Sequence, residues 1–133
     1  MPTRPPRVLI VDDEPQVRMF VERVLRKAGY ETTTVSDGPA AVEAARLERF
    51  DLLVTDLMMP GMAGDELAPR VRAFKRGLKV LYLTGFSDHL FRDKVKLFEG
   101  EAFLDKPCSV EGLLEAVSLL LFGRLENPLQ RRQ

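Results

Sequence analysis

The sequence predicts an α/β fold, a doubly wound, five-stranded parallel sheet with helices on both faces. Short apolar runs rich in valine and leucine recur along the chain, segments with helical spacing lie between them, and the two kinds alternate without a repeat or a low-complexity linker. Parallel neighbours need right-handed crossovers, so this alternation places helices on both sides of one sheet. At 133 residues the chain has the size of a single domain with its own continuous core.

The elements follow in order. "RVLIV" reads as a strand buried on both faces. In "PQVRMFVERVLRKAG", Val17, Phe20, Val21, Val24, Leu25 and Ala28 recur at three- and four-residue spacing, Pro15 suits a first turn and Gly29 stands where a helix stops. "ETTTV" is a weaker strand. The next helix, "DGPAAVEAARLERF", has Asp37 as a cap and Pro39 in its first turn. "DLLV" is the third strand, and "GDELAPRVRAFKRG" is a helix that its internal Pro69 should shorten or bend. "KVLYL" is the fourth strand and "SDHLFRDKVKLFEG" a fourth helix; "EAFL" is a weaker fifth strand. "SVEGLLEAVSLLLFG" closes the series, with Ser109 expected to cap alone because Gly112 stands where a capping box wants glutamate or glutamine. Residues 1–6 and 124–133 lack apolar periodicity and read as flexible ends around a domain over 7–123.

Composition narrows the function classes. Lysine plus arginine and aspartate plus glutamate number 20 each, so no global basic field draws the chain to nucleic acid or to an anionic membrane. The N-terminal apolar run, Val8 to Val11, is far below the roughly 20 residues needed to span a bilayer, and no signal-peptide core is present. A cytoplasmic protein is expected. The single cysteine, Cys108, excludes an internal disulfide and a cysteine-only metal site, and reads as a packing or half-exposed thiol.

In "LVTDLMMPG" an apolar run ends on Asp56, just before a proline-glycine turn. In doubly wound sheets, ligands bind beyond the carboxyl ends of the strands, where the strand order reverses. Asp12 and Asp13 follow the first strand, Asp56 the third, Thr84 the fourth and Lys106 the fifth. Singly, each has an ordinary reading: the aspartates as caps or turn formers, Thr84 as a turn hydroxyl, Lys106 as a solvated amine. Together they bring three carboxylates, a hydroxyl and an ammonium to one edge. Clustered carboxylates repel and call for a cation, and oxygen ligands without histidine or cysteine favour Mg2+ over zinc.

The blocks "VLIVDDEP", "LLVTDLMMPGMAGDEL", "VLYLTGF" and "FLDKP" resemble the four signature blocks of the receiver domain of two-component response regulators, and the resemblance covers about Arg7 to Gly123. It implies the flavodoxin-like strand order 2-1-3-4-5. It also implies that Asp56 is a phosphoacceptor, taking a phosphoryl group from a phosphohistidine on a sensor histidine kinase or a histidine phosphotransfer protein. Asp12 and Asp13 would hold Mg2+, joined by Asp56 and the backbone carbonyl of Met58. Lys106 and Thr84 would contact the phosphoryl group, and Gly85 would let backbone approach it. Thr84 and Phe103 would form a switch acting on the surface made by 87–100, the fifth strand and the last helix, read by an unknown output protein. Such a chain is a phosphorylation-controlled signalling domain that assists its own phosphoryl transfer and dephosphorylation.

"FEGEA" is one residue shorter than the usual glycine-alanine version, and with "TGFSD" and "KPCSVEGLLEAV" it resembles receivers appended to sensor kinases. Only ten residues follow Gly123, so the chain reads as a free-standing receiver or as one excised from a larger protein. His89, on the expected output surface, reads as a solvated side chain. Met58 and Phe86 flank the site with apolar bulk. Two other classes stay open. A metal-dependent phosphatase would want a second carboxylate where Met58 stands, and a phosphate-independent binding module would be expected to lack one of the acidic pair, Asp56 or Lys106.

Overall fold

Burial follows the strength of the apolar runs. In the computed structural model, which describes residues 4–85 and 97–123, five parallel strands form one sheet: β1 (Arg7–Val11), β2 (Glu31–Val35), β3 (Leu52–Asp56), β4 (Lys79–Thr84) and β5 (Glu101–Asp105). Their order is β2-β1-β3-β4-β5. The runs richest in valine and leucine occupy the centre and are buried almost throughout, whereas the weaker "ETTTV" and "EAFL" are the half-buried edges. An edge strand has one neighbour and less cover, so it tolerates threonine and alanine.

The described residues contain four helices, α1 (Pro15–Lys27), α2 (Gly38–Leu47), α3 (Gly64–Arg72) and α4 (Val110–Phe122). Strand alternation divides the core in two. Val8, Ile10, Leu52, Val54, Leu81 and Leu83 face α1 and α4, meeting Val21, Leu25, Leu113 and Val117. Leu9, Val11, Leu53, Val80 and Tyr82 face the other way, toward Ala41, Ala45, Leu67, Ala68 and Val71 of α2 and α3. None of the described helices is long and apolar enough to cross a membrane.

Local chemistry sets the helix ends. Pro15 opens α1, and Gly29, with φ 105°, turns the chain out after it. Asp37 accepts the Ala40 N–H at 2.8 Å and caps α2. Ser109 caps α4 without a glutamate partner, accepting the Gly112 N–H at 2.9 Å. Pro69 lies inside α3, the shortest of the four at 9 residues; its ring removes one helical N–H donor. Of the helix expected over 87–100, residues 86–96 lie outside the described residues, and 97–100 are coil and turn.

With β2 on one side of β1 and β3 on the other, crossovers leave the two central strands in opposite directions. The crevice this opens lies at the carboxyl ends of β1 and β3.

Candidate functional site

The two central strands each run out of apolar residues at that rim on an aspartate. Asp12 follows β1 and is 0% exposed; Asp56 ends β3 and is 3% exposed; Asp13 is exposed. The turn from β1 into α1 is tied by Asp12 itself: its Oδ1 accepts the Glu14 N–H at 2.9 Å, and its carbonyl accepts Arg18 Nη1 at 2.6 Å. One carboxylate oxygen from each of Asp12, Asp13 and Asp56 lies within 4.8 Å of the others.

Lys106 reaches into this cluster from the end of β5. Its Nζ is 3.4 Å from Asp56 Oδ1, 3.5 Å from Asp12 Oδ2 and 3.3 Å from Glu14 Oε1. The peptide bond to Pro107 is cis. The Met58 N–H points at Asp56 Oδ1 from 3.4 Å. An open cleft of about 720 Å³ over these groups is lined by Asp13, Glu14, Asp56, Met58, Gly85 and Lys106, among others.

Electrostatics follow from burial. Removal from water, reinforced by the Asp12 charge, pushes the Asp56 carboxyl up to about 7 against the pull of Lys106 and the Met58 N–H. Burial likewise raises Asp12 above the ordinary carboxylate range, opposed by the Glu14 N–H and Lys106. For Lys106, burial acts downward, and the charges of Asp12, Asp56 and Glu14 outweigh it, so its pKa is raised. One ammonium thus faces the carboxylates of Asp12, Asp56 and Glu14. The donor set is all oxygen, which suits a hard divalent cation with water completing its shell.

The remaining expected site residues are placed differently. Thr84 is buried at the end of β4, and its hydroxyl donates to Asp105 Oδ1 at 2.9 Å. Phe103 is partly buried on the α2/α3 side, its ring centroid 5.7 Å from that of Tyr82. Phe86 and His89 lie outside the described residues. Cys108 is half-buried, and burial pushes its thiol up.

Two residues of this rim were not singled out from the sequence. Glu14, in "DDEP", looks like a helix-start residue, yet it shares Lys106. Asp105, in "FLDKP", becomes visible once β4 and β5 are paired, because the register sets it beside Thr84.

The family model for the response regulator receiver domain matches residues 8–118. TcrX of Mycobacterium tuberculosis, named a "Probable transcriptional regulatory protein", is 36% identical over 89% of this chain and 50% of its own length. The response regulator receiver protein CpdR of Brucella abortus is 33% identical over 88% of this chain and 98% of its own. The chain therefore spans half the length of the first relative and nearly all of the second. Receivers carried by histidine kinases also match. Among solved structures, the chemotaxis protein CheY4 of Vibrio cholerae superposes with a TM-score of 0.79 and 33% identity, covering 88% of this chain and 99% of that one. Receiver domains of this kind are signalling domains that interact with histidine kinases and bind Mg2+ at an acidic pocket, and the aspartate cluster stands where the strand order reverses. By family match, fold and strand order, the chain belongs to the response regulator receiver domain family.

Proposed function

We propose that residues 7–123 form a cytoplasmic phosphoacceptor unit in which Asp56 takes a phosphoryl group from a phosphohistidine on a sensor kinase or a histidine phosphotransfer protein. The observation that carries this reading is the setting of Asp56: a buried carboxylate at the end of a central strand, 3.4 Å from Lys106 and grouped with Asp12 and Asp13.

In the proposed transfer an Asp56 carboxylate oxygen attacks phosphorus in line, a carboxyl–phosphate bond forms, and the phosphorus–nitrogen bond breaks as the imidazole leaves and takes up a proton. Phosphoryl transfer depends on positioning and charge neutralisation more than on covalent help. Lys106 supplies an ammonium beside the arriving oxygens, and Gly85, in the cleft wall, leaves room for them. Asp12, Asp13, Asp56 and the Met58 carbonyl are the proposed Mg2+ ligands; bound there, the ion adds positive charge next to the phosphoryl group. The Met58 side chain, 43% exposed, puts apolar bulk where a hydrolase would carry a second acid-base carboxylate. That favours a slow, self-limited dephosphorylation over turnover.

The test is incubation with a small phosphodonor and Mg2+. Stoichiometric, acyl-phosphate-type labelling is expected in the wild type and none in Asp56→Asn, whose amide keeps the shape and loses the nucleophile. Labelling of Asp56→Asn at the wild-type rate would sink the assignment, and rapid multiple turnover would point to a hydrolase.

A further inference from the structure

The register of β4 and β5 sets Thr84 beside Asp105 at the rim, two residues beyond the pair Tyr82 and Phe103. The Thr84 hydroxyl donates to Asp105 Oδ1, and the Lys106 N–H donates to the Thr84 carbonyl at 2.8 Å, so the two strands stay joined to their last residues. By strand alternation Thr84 and Asp105 share the face of Tyr82 and Phe103, whereas Asp56 continues Leu52 and Val54 on the opposite face. A hydroxyl carries one proton, so Thr84 can donate to Asp105 or to an oxygen of a phosphoryl group on Asp56, not to both.

We propose that Asp105 is a positioning residue that competes with the phosphoryl group for the Thr84 hydroxyl and so sets how readily phosphate at Asp56 captures Thr84. This rests on the reading of Asp56 as phosphoacceptor and of Thr84 as its contact. The bond to be given up is charge-assisted, and a donor held by a carboxylate is harder to recruit than one held by water. Asp105 therefore weakens the coupling of the phosphate site to β5 in the resting protein.

The experiment is titration of the full chain with beryllofluoride in saturating Mg2+, comparing wild type, Asp56→Asn, Asp105→Ala, Asp105→Asn, Thr84→Ala and the double variant Thr84→Ala/Asp105→Ala. Asp105→Ala should bind roughly five- to tenfold tighter, the difference between a charge-assisted and an ordinary hydrogen bond. Asp105→Asn should gain less, since its amide oxygen still accepts, and it covers the case in which the alanine variant does not fold. In the Thr84→Ala background, Asp105→Ala should change nothing, and Mg2+ affinity should be the same in all the Asp105 variants.

Unchanged or weaker beryllofluoride binding by the Asp105 variants overturns the proposal. So does an equal gain without Thr84, which would assign the effect to removal of a nearby negative charge. Wild-type binding that survives in Asp56→Asn, or no binding at all, overturns the phosphoacceptor reading and this inference with it.

Discussion

Asp12 and Asp56 are two carboxylates drawn out of water side by side, with one ammonium between them. The folded chain therefore holds a proton near Asp56 more tightly than the unfolded chain does, with a pKa of about 7 against 3.8. A raised folded-state pKa gives stability that is complete below the unfolded value and lost as pH rises through the folded one. Without divalent cation, stability should fall between about pH 4 and pH 8, by about 4 kcal/mol at most, and the melting temperature with it. The raised pKa of Asp12 acts in the same direction. Mg2+ should stabilise more at pH 8 than at pH 5, because it binds the ionised cluster. Asp56→Asn should flatten the metal-free profile and raise stability at pH 8. Asp13 is exposed, so repulsion involving it is better screened by water; Asp13→Ala should weaken Mg2+ binding sharply with only a small stability change. Melts across pH with and without Mg2+ check all of these. A metal-free wild type that is most stable at pH 8 would remove the argument for a strained carboxylate pair.

Among the elements, α3 is the one whose start packs against Asp56, the proposed nucleophile. Gly64 opens it, and the Gly64 N–H donates to the Leu57 carbonyl at 2.8 Å. A Cβ at Gly64 would lie 2.5 Å from the Asp56 carbonyl oxygen, 3.1 Å from Thr55 Cγ2 and 3.2 Å from Leu57 Cα. Two of those atoms are backbone and cannot rotate away. Gly64→Ala should lose about 1–3 kcal/mol by urea denaturation and slow phosphodonor labelling, because the β3 terminus must shift. Wild-type stability and labelling in that variant would show that α3 can slide without disturbing Asp56. Much at this scale was legible in the sequence. Helices α1, α2 and α4 declared themselves by spacing and capping residues, and Asp56 by ending an apolar run. Strand order was not legible from periodicity, which says nothing about the side on which a crossover returns; it came from the motif resemblance. The Thr84–Asp105 and Glu14–Lys106 pairs were hidden for the same reason, since each joins residues brought together only by strand register or by the β1–α1 turn meeting the end of β5.

At the scale of the molecule, the sheet is asymmetric about the proposed phosphate site. The cluster sits at the ends of β1 and β3. β5 is the exposed edge on one side and carries Phe103, Asp105 and, just past its end, Lys106; β2 is the edge on the other and offers the site no side chain among those named. A phosphoryl group on Asp56 would recruit Lys106 and Thr84, both tied to β5 by the hydrogen bonds at its end. A part-buried charge pair at the far end, Arg72 with Glu101, joins the start of β5 to α3, so we expect movement to be concentrated at the rim half of the strand. We expect beryllofluoride to change amide exchange along β4–β5 and over 97–105 while β2 and α2 stay as they were. Thr84→Ala should still be labelled by a phosphodonor, since nucleophile, carboxylates and lysine remain, yet lose most of the distal exchange change. Lys106→Ala should impair both, because it removes the ammonium at the site as well as a contact carried by β5. If the wild type responds only at residues touching the phosphate, or if Thr84→Ala responds as the wild type does, the unit passes phosphate onward without switching. If β2 responds as strongly as β5, the signal does not travel by Thr84 and the edge strand, and the proposed output surface is wrong.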